Sequence, residues 1–127
     1  MTRTQSEVSK SLPLREPTFF ILLSLARGEK HGYAIMKDID ELSLGRVKLS
    51  TGTLYEALAR LLDQNLIERI DETESGEREF QKRQNHPGRP RKSYRLMQMG
   101  WRVLEAETNR MRALVAAAPL RFGGEQV

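Results

Sequence analysis

Residues 19–26, Phe-Phe-Ile-Leu-Leu-Ser-Leu-Ala, are apolar on nearly every face of the helix they would form, and Pro17 suits that helix's first turn. Such a segment is central to a core, and the rest of the chain has to wrap it. Gly28 stops the helix. With 127 residues the chain has material for one core. A globule of this mass exposes about 6,900 Å² against about 21,000 Å² for the extended chain, so roughly two-thirds of the surface is buried. The run is too short to span a membrane and is interrupted by Ser24. Residues 1–7 are polar and unlike a signal peptide, so the expectation is a cytosolic protein with no membrane partner. The chain has no cysteine, which removes disulfides, thiolate zinc sites and cysteine nucleophiles together.

The periodicity around that helix predicts the remaining elements. Residues 1–13 read as a flexible N-terminal arm without periodicity. A second helix over 32–42 carries Ile35, Met36, Ile39 and Leu42 at helical spacing, and Gly45 ends its trailing turn. Ser50 and Thr51 supply cap oxygens for a third helix whose stripe is Leu54, Leu58, Leu61 and Leu62, with Asn65 as a left-handed stop. Residues 66–70 alternate as an edge strand would, and 93–96 read as its returning partner across a polar loop. A last helix covers 98–118, ended by Pro119, and 119–127 read as a flexible tail. The fold class is mainly α with a small β wing. A winged helix-turn-helix domain over 14–97 precedes a long C-terminal helix over 98–118.

On the third helix, the face opposite the leucines carries Thr51, Gly52, Tyr55, Glu56, Ala59 and Arg60. Hydroxyls and a glycine at a helix N-terminus leave N–H groups that a phosphate can approach, and Tyr55, Thr51 and Thr53 can reach phosphates or base edges. Capping alone explains Ser50 and Thr51 without any partner, but not Gly52, which costs about 1 kcal/mol of helix stability relative to alanine. In the wing, Pro87-Gly88-Arg89-Pro90-Arg91-Lys92 holds its backbone extended so that Arg89, Arg91 and Lys92 can project along a narrow groove. Lys82, Arg83 and Arg95 continue this basic stretch, while Asp71, Glu72, Glu74, Glu77 and Glu79 precede it. Two readings stand: a solvated hairpin whose charges pair across its strands, and a basic strand aimed at phosphates. The net charge of +4 favours polyanions in either case.

Enzyme chemistry finds no support. The only histidines, His31 and His86, read as a hydrogen-bonded turn residue and a solvated loop residue. No serine sits in a nucleophile elbow, no glycine loop cradles phosphate, and Glu72, Glu74 and His86 lack recognised metal-ligand spacing. No catalytic site, metal or cofactor is expected. In the last helix Trp101, Leu104, Thr108, Met111, Val115 and Ala118 recur at alternating spacings of three and four, the seam of a coiled coil. Trp101 can instead pack on its own domain. The distal half extends beyond a three-helix domain, so the expectation is a homodimer joined through Trp101, Leu104, Thr108, Met111 and Val115.

The residues His31-Gly32-Tyr33-Ala34-Ile35, Gly52-Thr53-Leu54-Tyr55 with Leu58 and Leu61, and Gly88-Arg89-Pro90-Arg91-Lys92 with Tyr94-Arg95-Leu96 and Gly100 resemble the PadR-like transcriptional regulators over about 14–115. The resemblance implies a winged helix-turn-helix homodimer, usually a repressor on palindromic double-stranded DNA operators. It places DNA contacts at Ser50, Thr51, Gly52, Thr53 and Tyr55 in the major groove, and at Arg89, Arg91 and Lys92 in the wing. Met97 stands where that family often has a threonine, so the last helix lacks a side-chain N-cap. Some members take a small planar aromatic effector between subunits, which the resemblance alone implies here, since no aromatic cluster besides Trp101 marks a pocket. Two rival functions are weighed beside this one. A single-stranded nucleic-acid binder wants a row of stacking aromatics that the chain lacks. A winged-helix protein–protein adaptor would show no steep salt dependence on DNA.

Overall fold

A computed structural model describes residues 3–71 and 92–122 of the chain. In order these form α1 (Arg3–Lys10), α2 (Glu16–Leu25), β1 (Lys30–His31), α3 (Gly32–Leu42), α4 (Thr51–Asp63), β2 (Ile67–Asp71), β3 (Lys92–Leu96), α5 (Gln98–Ala117) and α6 (Pro119–Phe122). The all-apolar segment is α2, with Pro17 in its first turn, Ile21, Leu22 and Leu25 fully buried, and Gly28 in the left-handed region beyond its end at φ +136°. Ile35 and Ile39 of α3, Leu54, Leu58 and Leu61 of α4, Leu66, Ile67, Tyr94 and Leu96 of the strand segments, and Val103 of α5 close around it. Burial of this one cluster drives the fold, since each such side chain contributes about 1.5–3 kcal/mol.

The strands form one antiparallel sheet in the order β1-β3-β2. Ile67 opposes Leu96, Arg69 opposes Tyr94 and Asp71 opposes Lys92, while Lys30 and His31 pair with Tyr94 and Ser93 on the other edge of β3. A carbonyl can only accept, so His31 donates through Nδ1 to the Lys92 carbonyl at 3.2 Å, the hydrogen-bonded turn histidine that its place in the sequence suggests. Buried Ser93 donates to Glu29 Oε2 at 3.0 Å and fastens the same corner. Asn65 takes the left-handed stop at φ 60°, and Leu66 N–H donates back to the Leu61 carbonyl. Gly100 lets α5 lie directly on β2's lead-in. A Cβ there would collide with the Leu66 carbonyl, which accepts from Met97 N–H at 3.0 Å. That bond anchors the start of α5, where Met97 occupies the N-cap position without a side-chain cap.

Three expectations are corrected. The segment read as a loose arm contains α1, which packs on α5, with Val8 and Leu12 against the core. Docking holds α1, since a helix of eight residues is far below the length that is stable alone. The second correction is β1, too short to show alternation but enough to make the sheet three-stranded. In the third, Pro119 begins the turn of α6 and does not open a tail, because a missing N–H is harmless at a first helical position. Residues 123–127 lie outside the described residues.

Candidate nucleic-acid interface

The N-terminus of α4 is built around Ser50. Its backbone is extended (φ −73°, ψ 161°), and its Oγ accepts from Thr53 N–H at 3.1 Å while donating to Thr53 Oγ1 at 2.9 Å. Ser50 is thus a cap first, and Thr53 keeps its hydroxyl proton for another acceptor. Leu54, Ala57, Leu58 and Leu61 point inward, while Thr51, Gly52, Thr53, Tyr55, Glu56, Ala59 and Arg60 are exposed. The space beyond Gly52 is open, with no atom within 4 Å of where a Cβ would stand. Tyr55 is half-exposed at 45%, and its hydroxyl end lies where a side chain at Gly32 would be. It is therefore not a free-standing side chain on the outer face, because Gly32 makes the seat for its ring. Burial raises the pKa of neighbouring Tyr94 above the ordinary phenol value, and Tyr55 adds to the rise.

Charge is distributed unevenly around this helix. Arg60 pairs with Glu56 at 3.7 Å on α4, Arg95 with Glu68 at 2.9 Å across β3 and β2, and Arg69 with Asp71 at 3.5 Å. Arg95 thus pairs across the strands, but with Glu68 and not with the acidic run 71–79, most of which lies outside the described residues. Exposed Lys92 has no ion-pair partner among the described residues, nor have Lys37 and Lys48. Arg89 and Arg91, with Lys82, Arg83, Glu72, Glu74 and His86, lie outside the described residues. In the sequence reading Lys37 and Lys48 have no assigned contact, and Tyr33 enters only as part of the motif that carries the resemblance. Tyr33 and Lys37 sit one turn apart on the outside of α3, a spacing of four that was available as a signal.

The proposed seam divides in two. Leu104 is largely buried in the chain's own core, so it has little surface left to offer a second subunit. The heptad spacing is real, but the first half of α5 spends it on its own domain. Thr108 donates its hydroxyl to the Leu104 carbonyl at 2.9 Å, and Thr108 and Met111 are partly covered. Trp101 (49% exposed), Leu114, Val115 and, in α6, Leu120 and Phe122 are uncovered. Buried Glu107 was also missed. It accepts from Leu14 N–H at 3.0 Å and from Arg110 Nε and Nη2 at 2.6 and 2.9 Å. Its signal was its place on the stripe Gly100, Val103, Leu104, Glu107, where it is the one charge.

A helical core with the outer face of α4 open to solvent and the antiparallel β2–β3 pair beside it defines a winged helix-turn-helix, extended here by a long C-terminal helix. The sequence profile of the transcriptional regulator PadR-like family matches residues 21–106, and the chain belongs to that family. It is similar to a PadR family transcription regulator from Clostridium difficile R20291, with 26% identity over 85% of this chain and 98% of that one and a TM-score of 0.62. A PadR-like transcriptional regulator from Bacillus cereus is 20% identical over 94% and 98% of the two chains, with a TM-score of 0.61. Bacillus subtilis PadR in complex with operator DNA is 24% identical over 74% of this chain and 47% of that one, with a TM-score of 0.57. No curated protein matches the chain in sequence. Among the described residues no helix is long and apolar enough to cross a membrane.

Proposed function

We propose that this chain is a sequence-specific DNA-binding transcriptional regulator, a repressor that binds a palindromic operator as a homodimer. The observation that carries the reading is the outer face of α4. It is capped by Ser50, open at Gly52, and bears Thr51, Thr53 and Tyr55 outward. An α-helix of about 10–12 Å diameter fills a major groove of about 12 Å, so this face meets base edges. Lys92, with Arg89 and Arg91 of the wing, serves the adjoining backbone or narrow groove. Family membership and the operator complex of the Bacillus subtilis relative support the assignment. Uncovered Trp101, Leu114 and Val115, flanked by Thr108 and Met111, support pairing through α5. Trp101 also borders a shallow groove of about 620 Å³ with Leu23, Ala26, Leu104 and Thr108. A second subunit laid over that groove would enclose a site for a small planar aromatic effector that relieves repression.

The test is a DNA-binding selection with purified full-length protein at two salt concentrations. The expected result is a short palindromic consensus with half-sites about one helical turn, roughly 10 bp, apart. Affinity should fall steeply with salt. Failure to enrich any sequence would overturn the reading and favour a protein–protein adaptor.

A further inference from the structure

A groove of about 330 Å³ opens between the α1–α2 turn, the first turn of α2 and the C-terminal half of α4. That is the lower end of the range for small-molecule sites. Arg15 stands at it just ahead of α2 and Arg60 on α4, and no carboxylate is among the residues that line it. Ser11, Thr18 and Gln64 add two hydroxyls and an amide over a floor of Leu14, Ala57 and Leu61. We propose that this groove binds a small phosphomonoester with a hydroxylated body, of the class of sugar phosphates, and that the two guanidinium groups hold the phosphate. The site stands whether or not α4 reads bases. Ser11, Arg15 and Thr18 lie ahead of residue 21, where the family match begins, so half of the groove is not supplied by family membership.

Three observations carry it. The first is charge. Arg15 has no ion-pair partner among the described residues. Glu16, its neighbour in the chain, is turned to Arg46 instead. Arg60 reaches only Glu56, at 3.7 Å, and with both side chains more than half exposed that pair is weakly held. Two guanidinium forks with one loose competitor suit a dianion, since the planar fork matches phosphate oxygens bidentately. The second is unused hydrogen-bonding capacity. The side chains of Ser11, Thr18 and Gln64 make no hydrogen bond among the described residues. Because α2 begins without a side-chain cap, Thr18 N–H has no acceptor there either. Neutral donors and acceptors around a charged centre suit the hydroxyls of a polyol body, and the apolar floor suits its C–H face. The third is rigidity. Ala57 and Leu61 belong to the buried stripe of α4, and the buried Glu107 carboxylate holds Leu14 N–H at 3.0 Å. Both walls are fixed before a ligand arrives, so an occupant has no loop to order on binding.

The experiment titrates the full-length protein with ribose 5-phosphate by isothermal calorimetry, beside ribose and inorganic phosphate. The expected result is one site per chain with a Kd below about 1 mM. Ribose lacks the charge and inorganic phosphate lacks the body, so each should bind at least about tenfold more weakly. Arg15→Gln/Arg60→Gln should weaken ribose 5-phosphate at least about tenfold, as loss of charged hydrogen bonds does, and should keep the wild-type melting midpoint because both side chains are exposed. Arg27→Gln/Arg121→Gln removes the same charge from exposed positions outside the groove and should leave the Kd unchanged. A wild-type Kd above about 1 mM overturns the site. Equal affinity for inorganic phosphate refutes the ester class, and equal losses in the two double variants would reduce the binding to diffuse attraction by net charge. If Arg15→Gln/Arg60→Gln keeps the wild-type Kd for ribose 5-phosphate and loses only salt-dependent affinity for DNA, the two arginines serve a DNA backbone and the ligand site is refuted.

Discussion

Glu107 is the residue whose removal should say most about how this molecule is held together. Its carboxylate is buried between α5 and the α1–α2 turn, accepting from Leu14 N–H and twice from Arg110. The Arg110 hydrogen bond lowers its pKa below the ordinary carboxylate value, burial opposes this, and the Leu14 N–H adds to the lowering. In Glu107→Ala the Arg110 side chain, about a third exposed, swings into water at little cost. Leu14 N–H cannot follow it. An orphaned, partly buried donor costs about 1–3 kcal/mol, and the space left by the side chain adds about 1 kcal/mol. The expected loss is therefore about 2–4 kcal/mol, read as a lower urea midpoint at neutral pH. Glu107→Gln keeps the volume and one acceptor and should cost about 1 kcal/mol. The pH dependence fixes the cause. A carboxyl whose folded pKa is depressed contributes stability that is fully present above its unfolded pKa, near 4.5 here, and is lost as pH falls through the lower folded value. The gap between wild type and Glu107→Gln should hold at neutral pH and close in acid. A gap of constant size from neutral to acid pH, or a Glu107→Ala loss under about 0.5 kcal/mol, would refute the reasoning.

Gly100→Ala drives a methyl into the Leu66 carbonyl and should cost about 2–3 kcal/mol, a fall of roughly 10 °C in melting midpoint. An unchanged midpoint would mean that α5 shifts freely. Leu104→Asp buries a charge in the monomer's own core and should abolish folding by circular dichroism. Val115→Asp should leave the fold intact and convert the protein to a monomer by light scattering; a persisting dimer would remove α5's distal half from the interface. Gly32→Ala displaces the Tyr55 ring, a mobile side-chain end rather than backbone, so it should weaken operator binding about three- to tenfold with little change in melting.

What the sequence made legible is what periodicity and stop signals record. The stripes of α3 and α4, apart from Leu42, which ends α3 exposed, stand where expected, as do the glycine after α2 and Asn65 after α4, because each reports a local choice. The rest depends on what a segment meets. Arg3–Lys10 has a single apolar residue, Val8, and its helix exists because α5 passes beside it. In α5 the heptad spacing marks a buried face without saying whose surface buries it, so Leu104 and Val115 look alike in sequence and differ completely in exposure. Tyr55 shows the same limit on the site. Its place on the outer face follows from the leucine stripe, but its contact with Gly32 is set by how two helices cross.

The pairing of Asp71 with Lys92 has a consequence for how regulators of this shape diversify. The chain leaves the sheet at one of these residues and re-enters at the other, with the ends clamped side by side by the ladder and by His31 on the far edge. Residues 72–91 thus leave and rejoin the sheet at two points held side by side. Changing the length of such an excursion is cheap, since halving or doubling it alters closure entropy by only about 0.6 kcal/mol. A change of length or charge between two such ends leaves the ladder and the core as they are, so the outer face of α4 is unaffected by what joins Asp71 to Lys92.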